Sequence, residues 1–410
     1  MSAMDTAVLG PALMQKYAQP MFYKGGYKDF PLWAMIKKST DFGGDNKAIV
    51  LRVSTVQGAN PSFAEAQSAT TPSTYRRVTV THARGFGSAF IDCEAISRSK
   101  SPEDALAKAS AEVDSAMQGM LRSMSRSLFL NTGGAIGRAS FSSTTATLLD
   151  MQGNSTAAPE LAFNFEVGQR IQLSGDNGTT GSLRDGGDYV TLTAVDRMAG
   201  TLTADAAWSN ISGAATNDYL FQKGFWGQNM AGLQSWIPAT APTAGESFFG
   251  CDRSVDSRLY GFWITGNGAP QKTTMVRLLA ILGREGAKTD CIVMNNEDWA
   301  DFINGEMSNV IYDRAKSMDD PTIAFQSFKI MGPKGLVDVI ADPDCPRGKF
   351  FALQLNTWSF ESSGPAPRIN DEAKLGPLFP VYNANQVEAR LVWYGNLFCI
   401  APGLNGGGTF

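Results

Sequence analysis

His82 is the only histidine among 410 residues, and that count limits the chemistry open to the chain. A Ser-His-Asp triad has one place to be built, and a multi-histidine metal site has none. The five cysteines, Cys93, Cys251, Cys291, Cys345 and Cys399, lie far apart and form no CxxC pair. They read as free, mostly buried thiols made in a reducing compartment. Asp176, Asn177, Asp185 and Asp188 offer the hard oxygens that calcium takes, but not at EF-hand spacing, and these are ordinary hairpin-turn residues. Asp342-Pro343-Asp344 beside Cys345 sets two carboxylates next to a thiol. Pro343 and Pro346 mark that stretch as an exposed turn, and no general base accompanies it. Gly133-Gly134 and Gly266-Asn267-Gly268 complete neither GxGxxG nor GxxxxGK[ST], so no phosphate cradle is expected. The expectation is no catalytic, cofactor or metal site, and no enzyme.

The bulk numbers agree. A net charge of −4 and a pI near 5.3 carry no basic nucleic-acid footprint at whole-chain level. No run of 18 apolar residues is present, so no membrane span is expected. The start, Met1-Ser-Ala-Met-Asp-Thr6, shows neither a basic region nor an apolar one of the secretory kind. The 42 glycines point to turn-rich β structure.

The element that must organise the rest is a helix over Ser101–Asn131. Ser101-Pro102-Glu103-Asp104 combines an N-cap hydroxyl, proline at the first helical position and two acids at the positive end. Leu106, Ala109, Val113, Met117, Met120, Met124 and Leu128 then recur at steps of three and four, which makes one apolar face. The methionines read as core packing on that face rather than as a binding stripe. Arg122 and Arg126 suit the far end of the dipole, and Gly133-Gly134 stops the run. Such a rod is about 45 Å long at 1.5 Å per residue, enough for a spine carrying separate lobes.

Around it, residues 1–46 read as an arm with short helices at Leu9–Tyr17 and Pro31–Lys38. Phe30, Leu32, Trp33 and Ile36 are its anchors. Residues 47–92 read as a long two-stranded hairpin: Ile49, Leu51 and Val53 alternate outwards, and Val78, Val80 and His82 share a face on the return. Gln57–Thr74 is its small, polar tip. Residues 93–154 hold the spine helix, with 135–149 as a loop behind it. Residues 155–225 change texture to short strands between turn clusters such as Asp176-Asn177-Gly178 and Asp185-Gly186-Gly187, which predicts an inserted small β-barrel or sandwich. Residues 226–410 return to α/β. Helices are predicted at Thr273–Glu285 and after Asn295 or Asn296. Strands are predicted at Cys291–Met294, Phe328–Met331, Leu336–Ile340, Lys349–Leu355 and Val387–Ile400, and Gly406–Gly408 reads as a flexible end.

This order of parts resembles the major capsid proteins of tailed bacteriophages, with the Hong Kong 97 phage-type fold. Phe30-Pro-Leu-Trp-Ala-Met-Ile-Lys-Lys38 is similar to the arm segment of that family. Pro61-Ser-Phe-Ala-Glu-Ala-Gln67 is similar to the hairpin tip, called the E-loop. Ser101–Asn131 resembles the spine helix of the peripheral, or P, domain. Asp290-Cys-Ile-Val-Met-Asn-Asn-Glu-Asp-Trp299 resembles the strand-to-helix step of the axial, or A, domain. Lys349–Trp358 and Val387–Pro402 resemble later strands.

The resemblance implies an α+β chain with N-arm, E-loop, P-domain and A-domain, plus the inserted β domain. It further implies self-assembly into pentamers and hexamers of an icosahedral shell enclosing double-stranded DNA. Assembly contacts are then expected at Pro61, Ser62, Phe63, Glu65 and Gln67 of the tip and at Trp33 and Lys37 of the arm. The tip from Gln57 to Thr74 holds no lysine, so the covalent cross-link of some members is not expected there. A chain starting directly at the arm implies a separate scaffolding protein. A portal and a decoration protein are further partners, DNA is contacted weakly, and the location is the virion capsid after synthesis in the bacterial cytoplasm. Competing readings are an encapsulin-like nanocompartment shell, another virion part such as a tail or decoration protein, and a secreted β-module hydrolase or carbohydrate-binding protein.

Overall fold

A computed structural model of the chain describes residues 30–94, 98, 102–153, 155–306, 328–370, 378–382 and 384–410. Its longest helix runs Pro102–Phe129, 28 residues or about 42 Å. Its alanines, leucines and methionines are strong helix formers, against a single β-branched residue, Val113, and a single glycine, Gly119. The Ser101 cap and the side chain of Leu106 lie outside the described residues. Ala109, Val113, Met120, Met124 and Leu128 are buried together in the largest core. The helix C-terminus faces Gly232, where an added Cβ would stand 2.3–2.5 Å from the carbonyls of Ser127, Leu128 and Leu130.

The helix lies on a six-stranded sheet whose central strand is Gln386–Cys399. That strand pairs antiparallel with Trp358–Ser362, Arg368–Ile369, Leu378–Pro380 and Ala83–Asp92. Helix and sheet approach closely at Gly87, where a Cβ would meet Met120 Sδ at 3.0 Å. The residues at 83–92 therefore belong to this sheet and not to the predicted hairpin. Thr74–Thr81 and Ala83–Asp92 are almost one strand, which changes partners at His82. Its glycines and alanines face the helix, a pattern that alternation alone assigned to an arm.

The second sheet, also of six strands, has the order Phe262–Thr265, Gly406–Thr409, Lys349–Leu353, Cys291–Met294, Gly335–Ala341 and Phe328–Gly332. Helix Gln271–Arg284 buries Met275, Leu278, Leu279 and Leu282 in the core of this lobe. Helix Asn296–Glu306 is entered through Asn295, whose Oδ1 accepts from Glu297 N at 2.9 Å. Gly406–Gly408 is an inner strand rather than a flexible end. Its missing side chains let neighbours cross: a Cβ at Gly408 would lie 2.5 Å from Ile264 O.

Between the helix and this lobe the chain forms a closed six-stranded barrel. Its strands run in the order Asp218–Gln222, Gly137–Ser142, Thr145–Leu149, Thr201–Ala204, Tyr189–Asp196 and Arg170–Ser174. It begins at Gly137, not at 155, because the stretch expected to be a loop supplies two of its strands. Those strands look polar in sequence, yet Ala139, Ala146 and Leu148 turn inwards against Phe165, Ile171, Leu192 and Trp208. Small inward residues suffice because Phe165 and Trp208 fill the middle. The barrel is seated by a tight crossing in which a Cβ at Gly133 would sit 1.9 Å from Asn177 O.

The hairpin itself is Asn46–Ser54 paired with Thr74–Thr81, a separate two-stranded sheet. Leu51, Val53, Val78 and Val80 bury its basal face in the main core. Thr79 N donates to Phe249 O at 2.9 Å, Arg258 Nη1 to Val53 O at 3.3 Å, and Lys47 pairs with Glu361 at 2.6 Å. The arm helix is Pro31–Met35, shorter than expected, because Ile36 turns extended and Lys37–Ser39 adds parallel to Trp358–Ser362. The other expected arm helix, Leu9–Tyr17, lies outside the described residues.

Candidate assembly surface

Beyond its base the hairpin has no buried residue from Thr55 to Arg77. Gln57 and Thr71 close it with a pair of backbone hydrogen bonds at 3.1 and 2.8 Å. The tip then forms a short helix, Phe63–Ser68, none of whose residues is buried. Asn60 Oδ1 accepts from Ser62 N at 3.1 Å, an Asx turn that starts the helix although Ser62 makes no side-chain cap. Pro61, Ser62, Glu65 and Gln67 are exposed, and Phe63 is 79% exposed. Val50, Val56 and Tyr75 continue this exposed apolar surface down the hairpin. All five expected tip residues therefore stand together on one projection.

The two arm residues separate. Lys37 is exposed, whereas Trp33 is buried in the core of its own chain with its ring edge-on to Phe360 at 4.9 Å. A side chain already enclosed has no surface to offer a neighbour, so Trp33 is an internal anchor. Lys38 caps the arm helix by donating to Trp33 O and to Ala34 O, and burial pushes its amine down to about 8.

Two residues escaped the sequence reading. Phe86 and Phe90 point outwards from Ala83–Asp92 and are more than half exposed, at 62% and 52%. The signal was present: Phe86, Ser88 and Phe90 alternate with Gly85, Gly87 and Ala89, so the bulky residues had to take the face opposite the helix. Phe86 meets Tyr394 edge-on at 5.9 Å.

The acid clusters serve structure. Asp342 is fully buried rather than on an exposed turn. Its Oδ2 accepts from Leu32 N at 3.0 Å, and its Oδ1 from Asp344 N at 3.0 Å. It thus receives the start of the arm helix, and burial beside Asp344 pushes its carboxyl up to about 7. Asp298, which accepts from Gly348 N at 2.7 Å, is raised by burial to about 6. Cys345 is buried and its thiol held well above its ordinary range, which makes it a poor nucleophile. Asp176 accepts from Gly178 N at 2.8 Å and Thr180 N at 3.1 Å, and Asp185 from Ser212 N at 2.9 Å; these are turn roles. Among the described residues no group of three or more His, Cys, Asp or Glu is placed to hold a metal. His82 stacks on Phe42 with ring centroids 3.7 Å apart, and its Nε2 lies 2.7 Å from Gly44 O.

No family model and no curated protein matches the sequence. Solved structures do match. The chain of the cyanophage A-1(L) capsid asymmetric unit aligns over 96% of this chain and 98% of its own, at 11% identity and a TM-score of 0.51. Weaker likenesses are to the capsid of an empty GTA particle, at 10% identity over 94% and 90% with a TM-score of 0.46, and to the SrpI encapsulin of Synechococcus elongatus, at 9% identity over 97% and 94% with a TM-score of 0.44. At such low identity the likeness is one of backbone alone: this mixed α+β chain shares its fold with the chain of the cyanophage A-1(L) capsid.

Proposed function

We propose that this chain is the major capsid protein of a tailed bacteriophage, assembling into pentamers and hexamers of an icosahedral shell around double-stranded DNA. In this reading Asn46–Ser54 and Thr74–Thr81 are the E-loop and Pro102–Phe129 is the spine helix of the P-domain. The second sheet with its two helices is the A-domain, and the barrel is an insertion.

The observation that supports it best is the hairpin tip: a helix with no buried residue, carrying a phenylalanine that is 79% exposed. A lone chain leaves that apolar surface in water, and a second copy covers it. Covering Phe63 contributes about 2 kcal/mol per contact, a modest amount that a closed shell repeats at every copy. Ser62, Glu65, Gln67 and Lys37 are the polar residues of such contacts beside Pro61, and the outward Phe86 and Phe90 are a second surface for them. A chain of net charge −4 encloses DNA without gripping it, since fixed phosphate contacts hinder packaging and release. Among the described residues no helix is long and apolar enough to cross a membrane. A separate scaffolding protein, a portal and a decoration protein are the remaining partners, and the virion capsid is the location.

The test is negative-stain microscopy of the expressed chain, alone and with its scaffold, beside a variant in which Asn-Gly replaces Gly58–Thr71. Closed particles from the wild type and folded, unassembled subunits from the variant are expected. Normal particles from the variant would remove the hairpin from assembly. Particles filled with enzyme rather than DNA would make the shell a nanocompartment instead.

A further inference from the structure

A cavity of about 680 Å³ lies where the long helix, the barrel, the loop after Gly232 and the lobe meet. Its volume falls in the range of small-molecule sites. Three cations line it from three different elements: Arg126 from the end of the helix, Arg253 from the loop and Lys349 from the lobe sheet. Arg126 and Arg253 are buried, and Lys349 is half-buried.

These cations make few bonds for their burial. Arg126 Nη1 donates to Asn164 O at 2.7 Å, Arg253 Nη1 to Ser235 O at 2.7 Å, and Lys349 Nζ to Gln234 Oε1 at 3.3 Å. A guanidinium has five donors and an ammonium three, so most of this capacity meets no acceptor among the described residues, although Arg253 also lies over the Phe248 ring at 3.8 Å. No carboxylate among the described residues stands within 4.0 Å of Arg126 or Lys349, and Arg253 meets Glu246 only at 4.0 Å. Burial lowers the affinity of all three for their protons, the sign of charge held away from water without a full partner.

The carboxylates of the lining do not cancel this. Glu160 is shared with Arg347, itself 2.8 Å from Glu297. Asp344, whose charge acts on Arg126, is half-buried and raised by burial towards its neutral form, and the Glu246 side chain is half exposed. Four basic side chains, Arg347 included, thus face three acidic ones, two of which favour protonation.

We propose that this cavity binds a small, multiply charged oxyanion of the phosphate class, held by Arg126, Arg253 and Lys349. A doubly or triply charged oxyanion accepts the unused donors of all three groups at once, where water satisfies them without neutralising them. Because its ligands come from helix, loop and lobe, the bound anion ties those elements together. The site is complete in one chain and is independent of shell formation.

The test is inorganic pyrophosphate titrated calorimetrically into the purified full chain, with thermal unfolding followed against sodium chloride of equal ionic strength. Pyrophosphate is expected to raise the unfolding midpoint beyond the salt control. Lys349→Met should weaken its binding at least tenfold. Gln234→Glu, which sets a carboxylate beside Lys349 Nζ while keeping the shape of the wall, should do the same and covers the case that Lys349→Met fails to fold. A wild-type response no larger than that to sodium chloride, or unchanged pyrophosphate affinity in the folded variants, overturns the proposal.

Discussion

The barrel and the hairpin are both excursions from the same helix and sheet, and they handle exposed backbone in opposite ways. Six barrel strands close on themselves, so no edge is left unpaired, and the interior is filled by the barrel's own side chains. The hairpin has two strands, one buried basal face borrowed from the main core, and a tip with no buried residue. A two-stranded ribbon is marginal by itself in water. The difference separates an element stabilised from within from one whose outer half awaits another surface.

The largest expected effect falls inside the barrel. Trp208 is fully buried, and its Nε1 donates to Thr144 O at 3.0 Å. Trp208→Ala should cost about 3–5 kcal/mol through the cavity it leaves. Hydrogen exchange should show protection lost across 137–222 and kept in the two six-stranded sheets. Simultaneous loss everywhere would mean that the barrel is not independent of the frame.

A smaller effect is expected where the barrel is seated. Gly133→Ala drives a methyl into the backbone at Asn177, for about 2 kcal/mol. The strain falls on the crossing and not on the barrel core. The variant should therefore loosen the barrel's attachment, seen as faster proteolysis near 133 and 177, while the barrel's own protection persists.

The frame that carries both excursions should show the pH dependence. Asp342 has a folded-state pKa of about 7 against an ordinary value of 3.8. Above 7 the carboxylate is ionised in both states and its burial is fully penalised. As pH falls through 7 the folded protein takes up a proton that the unfolded chain does not bind until near 4. Stability should therefore rise on acidification across this window, by on the order of 1–2 kcal/mol between pH 7 and pH 5. Asp298, raised to about 6, acts in the same direction. Urea midpoints at the two pH values should differ in the wild type and differ less in Asp342→Asn, which keeps an acceptor for Leu32 N, the remainder being the share of Asp298.

The smallest effect on the single chain sharpens the contrast most. Phe63→Ala should change the urea midpoint of the unassembled subunit by less than about 0.5 kcal/mol, because the side chain touches little there. Particle yield with the scaffold should nevertheless drop. A loss of subunit stability similar to that of Trp208→Ala would show that the tip is packed within its own chain.

Much of the architecture was legible because it rests on local order. The three-and-four spacing from Ala109 to Leu128 marked the long helix to within two residues of its observed end at Phe129. Turn residues marked four of the six barrel strands. The other two, Gly137–Ser142 and Thr145–Leu149, were missed because their inward residues are small and Ser/Thr-rich segments read as loop. The hairpin tip was legible from the composition of Gln57–Thr74, and its contact residues were expected from the resemblance, whereas Phe86 and Phe90 were absorbed into a hairpin that in fact ends at Thr81.

By itself, then, the sequence determined the kinds of element and the poverty of catalytic groups: one histidine, scattered cysteines, and a helix whose period needs no partner to be read. Tertiary structure alone decided which residues lie inside. Asp342 became the buried anchor of a helix that starts 310 residues earlier, at the Leu32 amide. Gly406–Gly408 became an inner strand because Ile264 and Phe350 cross it closely. Trp33 was taken into the core while Phe63 was left in water. Periodicity reports what neighbours along the chain share, but burial and register depend on contacts between distant segments, and no local pattern encodes which of two aromatic residues will find one.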